Sequence, residues 1–135
     1  MKANILKLMP MCLICAVSAC NGSVMIVEDK LTSIFSTTNM TSTSLYFSAS
    51  KSNGYIVYAI NVKEGQSLNI KCNATIDLGA LTFDVTKQDE EEAFFHKIVT
   101  DNLDFEIPLE EYGKYKIKVI HDEFKGSYYL NWANN

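Results

Sequence analysis

Hydrophobic and polar residues alternate with a period of two over most of the chain from Leu45 to the C-terminus. This period is typical of β-strands, because successive side chains of a strand point alternately into a core and out to solvent. The parity predicts these inward positions: Ile56, Tyr58, Ile60, Val62, Leu68, Ile70, Cys72, Leu81, Phe83, Val85, Leu103, Phe105, Ile107, Tyr115, Ile117, Val119, Tyr128, Leu130 and Trp132.

The number of these runs predicts the fold class. Seven or eight short strands, separated by turn residues such as Glu64-Gly65 and Gly79, predict an all-β domain over residues 45–135. We expect an antiparallel β-sandwich or jelly roll, in which two sheets enclose a single core. The run at residues 93–100 has no clear parity, and residues 89–95 are the best candidate for a helix.

The N-terminal segment predicts export. Two lysines, at positions 2 and 7, precede an apolar stretch at residues 8–17, which is shorter than the ~20 residues that a membrane-spanning helix requires. These features are typical of a secretory signal peptide, predicted here at residues 1–19.

The segment ends in Val17-Ser18-Ala19-Cys20, which resembles the lipobox of bacterial lipoproteins. The resemblance implies that the leader is removed and that Cys20 carries lipid, such as palmitate. The protein would then be anchored at the extracytoplasmic face of a cell membrane, since two or more acyl chains give stable attachment.

An ordinary secretory signal is the alternative, and it would leave Cys20 as a free thiol that can pair with Cys72 in an oxidising compartment. Cys72 occupies an inward position, which predicts a buried, inert thiol and favours the lipidated form of Cys20. Residues 21–44 are rich in Ser, Thr and Asn, so they predict either a flexible tether or an edge strand.

Charge limits the partners. The formal net charge is −4, which excludes nucleic acid as an expected partner because phosphate backbones repel an acidic domain. The chain contains no arginine, so it lacks the bidentate guanidinium group that often binds phosphate or carboxylate.

Four segments resemble the bacterial pre-peptidase C-terminal domain and related small sandwich domains of Gram-positive lipoproteins. They are residues 62–68, 79–85, 113–119 and 126–132, three of which begin with glycine. The resemblance covers roughly residues 55–132 and implies a non-catalytic accessory module. The Asp-rich strand common in that family is replaced here by residues 77–84, which hold only two aspartates, so a calcium or ligand role for those acids is not expected.

No motif in the chain predicts catalysis, a cofactor or a metal. There is no Gly-x-Ser-x-Gly, and the two histidines, His96 and His121, lack the spacing of zinc ligands. Residues 89–92 are acidic without the pattern of an EF-hand and predict a solvated hairpin tip. Residues 101–104 predict a turn, with a weak calcium site as the alternative. We therefore expect a protein that is not an enzyme.

Two surface features remain as candidate binding groups. One feature is a row of lysines on a predicted strand, formed by Lys114, Lys116 and Lys118. The row is a solvated face, a means of preventing edge-to-edge strand pairing, or a surface that binds an anionic polymer or lipid headgroups. Tyrosine rings can stack on sugars. Parity places Tyr55 and Tyr129 outward and leaves Tyr46 and Tyr112 unassigned.

Together these features predict a membrane-anchored, non-enzymatic binding or accessory module of the cell envelope. An envelope protein or a glycan is the possible partner, besides the membrane reached through Cys20. The alternatives are a carbohydrate-binding module and a structural envelope protein without a discrete ligand. Aromatic side chains clustered on one sheet face would favour carbohydrate, and a large apolar patch would favour a protein partner.

Overall fold

The structure, a computed structural model, describes residues 24–134, with the side chains of the last two of these excepted. These residues form seven β-strands, all paired antiparallel, and no helix. The strands are β1 (Val24–Ile34), β2 (Thr37–Met40), β3 (Ser44–Val62), β4 (Leu68–Lys87), β5 (Phe95–Val99), β6 (Leu103–Leu109) and β7 (Gly113–Asn134). The predicted all-β antiparallel class is confirmed.

The helix considered for residues 89–95 is wrong. This segment connects β4 to β5 as a hairpin loop, because Glu90 N donates to Lys87 O and Phe94 N donates to Val85 O. Its acidic side chains are exposed, as expected for a solvated tip.

The three longest strands, β3, β4 and β7, each bend near their middle, where the pairing register shifts. Each contributes one arm to each of two layers. Layer 1 contains β2, β6 and the arms 44–49, 68–76 and 126–134. Layer 2 contains β1, β5 and the arms 54–62, 80–87 and 113–121.

The order of these arms identifies a jelly roll. Counted along the chain from β3, the arms lie in the order 1-8-3-6 in layer 1 and 2-7-4-5 in layer 2. This is the interleaved order of the double-sheet jelly roll. The consecutive strands β1 and β2 pair with different arms of β3, and each adds an edge strand to one layer. Both lie within the segment expected as a tether or an edge strand, so this part of the segment forms edge strands.

Glycines allow the strands to approach each other closely at the bends. A Cβ on Gly126 would lie 2.0 Å from the carbonyl oxygen of Thr75, and one on Gly79 would lie 2.1 Å from that of Glu123. Both glycines also have positive φ, which other residues rarely adopt. The bends therefore depend on glycine at these positions.

The two layers enclose one aromatic and aliphatic core. The Phe83 ring of layer 2 lies 5.2 Å from Phe105 and 5.8 Å from Tyr128, both in layer 1. The Tyr58 and Tyr128 hydroxyls form a buried hydrogen bond of 2.9 Å across the layers. Every residue of the predicted inward set is buried except Phe105, which is partly buried, and Leu103.

Leu103 pairs with the buried residue Ala74, so its inward parity is confirmed, but its side chain is 37% exposed. It begins the edge strand β6, where β4 is the neighbour on one side and solvent lies on the other. Cys72 is buried as predicted and is a free thiol, and burial raises its pKa to about 12.

Candidate functional site

Tyr46 and Tyr129 are paired residues on neighbouring strands of layer 1. Each lies between two buried residues, so both rings point to the outer face of the layer, where they are 37% and 41% exposed. The outward position predicted for Tyr129 is confirmed. The sequence left Tyr46 unassigned because its two neighbours, Leu45 and Phe47, are also hydrophobic and obscure the alternation.

The two tyrosines form the middle of a row that crosses all five strands of layer 1. From β2 to β6 the row is Asn39, Tyr46, Tyr129, Asn73 and Asp104. Adjacent strands are ~4.8 Å apart, so the row extends over about 19 Å.

A second, parallel row lies beside the first. It consists of Ser44, Asn131, Lys71 and Glu106, and we call these four residues and the five of the first row the tyrosine face. A shallow groove of about 290 Å³ lies over the β6 side of the face and is lined in part by Lys71, Asn73 and Asn131. The tyrosine face is therefore an aromatic pair surrounded by polar side chains.

Hydrogen bonds hold the carboxylates of the face. Asn73 Nδ2 donates to Asp104 Oδ1 over 2.5 Å, and Asn69 Nδ2 donates to Glu106 Oε1 over 2.6 Å. Each carboxylate keeps further acceptor positions, and the side chains are exposed. The groove is thus lined by groups of defined position that can both donate and accept hydrogen bonds.

This arrangement suits a polyhydroxylated ligand. The faces of tyrosine rings carry partial negative charge and attract polarised C–H groups, which line the apolar face of a sugar ring. Hydroxyl groups donate and accept, which matches the amides, the lysine and the carboxylates around the rings.

The two histidines have separate environments. His96 is exposed on β5, where its Nδ1 contacts the carboxylate of Asp84. His121 is buried at the bend of β7, with Nδ1 2.8 Å from Ser52 Oγ and Nε2 3.2 Å from the Tyr128 hydroxyl. Burial lowers the pKa of His121 to about 4. Within residues 24–134 no group of three His, Cys, Asp or Glu side chains is arranged to hold a metal ion.

The lysine row lies on the outer face of layer 2. Its strand, β7, is central between β3 and β4, so the edge-protecting interpretation is wrong. Lys114 and Lys116 are exposed, whereas Lys118 Nζ lies 4.4 Å from the centre of the Tyr55 ring. The Tyr55 hydroxyl donates to Glu28 over 2.8 Å, so Tyr55 points outward but is partly covered.

The turn at residues 101–104 is tied to β4. Asn102 Oδ1 accepts a hydrogen bond of 2.8 Å from Ile76 N, and Asp104 accepts the one from Asn73. The side chains of these two residues therefore stabilise the packing of β6 on β4.

Cys20 and the predicted signal peptide at residues 1–19 lie outside the described residues. No helix in the described part of the chain is long and apolar enough to cross a membrane.

Comparisons with known proteins add a likeness of fold. No protein-family model and no curated protein matches the chain. Among solved structures, the pre-peptidase C-terminal domain of a Bacillus anthracis collagenase aligns at 19% identity and a TM-score of 0.45, covering 59% of this chain and 77% of that one.

Two carbohydrate-binding proteins also align. One is described as CBM4, at 10% identity and a TM-score of 0.44, with 84% of this chain and 79% of that one covered. The other is a family 29 carbohydrate-binding module complexed with cellulohexaose, at 6% identity and a TM-score of 0.39, with 84% and 92% covered. At these levels of similarity the likeness carries no information about function.

Proposed function

We propose that this protein is a non-enzymatic glycan-binding module of the cell envelope, held at the extracytoplasmic face of a membrane by lipid on Cys20. The observation that carries the glycan part is the pairing of Tyr46 with Tyr129 on an otherwise polar sheet face. The observation that supports the lipid anchor is the resemblance of residues 17–20 to a lipobox.

The surroundings of the tyrosines favour glycan over a protein partner. The other seven residues of the tyrosine face are amides, a serine, a lysine and two carboxylates. The buried centre of a protein interface usually requires contiguous apolar residues, and charged residues are depleted there. Carbohydrate is well matched, because each ring can stack on a sugar while the polar groups bind its hydroxyls.

The charge of the face favours neutral or amino sugars. Asp104 and Glu106 supply two carboxylates, and Lys71 supplies one ammonium group. Because a strongly anionic polysaccharide would be repelled by the carboxylates, we expect it to bind more weakly than a neutral chain.

Affinity electrophoresis through gels that contain soluble neutral polysaccharides tests the glycan part. We expect Tyr46→Ala and Tyr129→Ala each to weaken binding about tenfold or more, since centrally placed aromatic residues supply much of the affinity at binding sites. Tyr112→Ala is the matched control, because Tyr112 is 57% exposed and lies outside the tyrosine face. Equal retardation of all four proteins over a broad set of polysaccharides would contradict the proposal.

Fractionation of cells tests the anchor. We expect Cys20→Ala to move the protein from the membrane fraction to a soluble fraction, because the acyl chains are the source of stable attachment. Metabolic labelling with a palmitate analogue should mark the wild type and leave the variant unlabelled. Retention of Cys20→Ala in the membrane after a high-salt wash would count against attachment through this residue.

A further inference from the structure

The outer face of layer 2 carries an apolar tip beside a row of lysines. Met25, Ile26 and Val27, at the start of β1, are 61%, 41% and 47% exposed. Strand parity should bury every second residue, but the register of β1 shifts between Ile26 and Glu28. This bulge and the free edge of β1 leave three consecutive hydrophobic side chains in solvent.

Lysines continue the same face. Met25 pairs with Ala59, which pairs with Lys116 on the next strand, so the apolar tip is about 10 Å from the lysine row. Lys114 and Lys118 stand on either side of Lys116, and Lys30 points outward from β1. We call Met25 and Val27 with these four lysines the lysine face. Ile26 borders this face at the sheet edge, because it pairs with the inward residue Tyr58.

The charge at the outward strand positions of layer 2 has the opposite sign to that of the chain. Four lysines stand against two carboxylates, Glu28 and Asp84, at the outward positions of layer 2. One of these carboxylates is hydrogen-bonded to Tyr55 and the other contacts His96. The chain as a whole has a net charge of −4.

The position of the proposed anchor identifies the occupant of this face. Three residues separate Cys20 from Val24, the first residue of β1. Four Cα steps reach at most about 14 Å, so a lipid on Cys20 would hold the apolar tip at the bilayer surface. Apolar side chains there can enter the headgroup region, and lysines are attracted to anionic headgroups.

We propose that the lysine face docks on an anionic phospholipid bilayer as a second membrane contact, in addition to the lipid on Cys20. The inference rests on the proposed anchor for its geometry, but the protein contact itself can be tested without it. Docking through layer 2 turns the tyrosine face, on the outside of layer 1, away from the membrane and toward external glycans.

The first experiment measures binding of the unlipidated Cys20→Ala protein to sedimented vesicles of phosphatidylcholine mixed with phosphatidylglycerol. We expect weak binding that is lost at high salt and is absent with phosphatidylcholine alone. Replacing Lys114 and Lys116 by Glu should weaken it roughly thirtyfold or more, at about fivefold for each lysine lost near an anionic surface. Lys71→Glu combined with Lys125→Glu makes the same change of charge at exposed sites off this face and should have a small effect.

The second experiment locates the contact in the lipidated protein reconstituted into vesicles that contain brominated lipid, which quenches tryptophan. Val27→Trp should be quenched clearly more than Leu78→Trp, an exposed position at the opposite, bent end of the strands. The single native tryptophan, Trp132, is buried and supplies a constant background.

The outcomes separate this proposal from the proposed function. Attachment of the wild type with equal quenching at positions 27 and 78 would overturn the docking and leave the lipid anchor intact. Equal loss of vesicle binding in both lysine pairs would also overturn it, since the attraction would then be unspecific. Failure of the wild type to acquire lipid would refute the anchor. Salt-sensitive vesicle binding that requires Lys114 and Lys116 would in that case still support docking through the lysine face.

Discussion

The two outer faces of this jelly roll share the same three long strands and have opposite characters. On layer 1 the outward positions hold two paired tyrosines among amides and carboxylates. On layer 2 they hold four lysines and an apolar edge. A single strand, β7, supplies Tyr129 and Asn131 to one face and Lys114, Lys116 and Lys118 to the other.

The difference shows how bends distribute function. If β7 were straight, all its outward residues would lie along one side of one sheet. The bend near residues 121–126 carries the second half of the strand into the other layer, so the lysines and the tyrosine point in opposite directions. A molecule held at a membrane by one face can thereby present the other face to a ligand.

The largest expected effect comes from blocking that bend. Gly126→Val places a side chain against the Thr75 carbonyl at a positive φ, so we expect a loss of at least about 3 kcal/mol in the free energy of unfolding and little folded protein. Urea denaturation followed by circular dichroism measures it.

Gly65→Val is the control, because Gly65 also has positive φ but no atom lies within 4 Å of its Cβ position. It should cost clearly less. Equal stability of Gly126→Val and the wild type would show that the separation of the two faces does not depend on this close approach.

An intermediate loss of stability is expected at low pH, because a buried histidine lies at the bend of β7 between the two layers. His121 is buried and its pKa is lowered to about 4 from 6.5, so between these values the unfolded chain binds the additional proton. Stability is therefore fully present above about pH 6.5 and is lost as the pH falls to about 4, by roughly 3 kcal/mol in total.

Unfolding curves at a series of pH values measure this loss. His121→Gln keeps hydrogen-bonding capacity without a titrating ring, so its curve should be flatter over the same pH interval. An equally steep curve for the variant would assign the acid sensitivity to other groups.

The smallest effect on stability, and the sharpest contrast between the faces, is expected from single charge reversals. Lys71→Glu and Lys116→Glu are both at exposed sites and should each change the free energy of unfolding by less than about 0.5 kcal/mol. Lys71→Glu should alter polysaccharide binding alone, and Lys116→Glu should alter vesicle binding alone. A variant that changed both activities would show that the faces are coupled.

Alternation along the chain was sufficient to predict most of the core. Ile56, Leu81 and Val119 are buried as their parity indicates, because a period of two is a local property of any strand with one covered face. Leu103 has the inward parity but stays exposed, since burial at the start of an edge strand depends on what covers it. Parity was silent for Tyr46, where three hydrophobic residues follow one another.

The sequence by itself determined the fold class, the buried thiol of Cys72 and the outward position of Tyr129. Lipidation of Cys20, which the lipobox-like residues 17–20 indicate, remains a prediction, because Cys20 lies outside the described part of the chain. Only the tertiary structure decided that Tyr46 stands beside Tyr129 and that the lysines lie on a central strand. The first fact depends on the register between residues more than eighty positions apart, and the second depends on the pairing of β7 with both β3 and β4. Both also depend on bends formed where strands from distant parts of the chain meet. A local pattern carries no information about either.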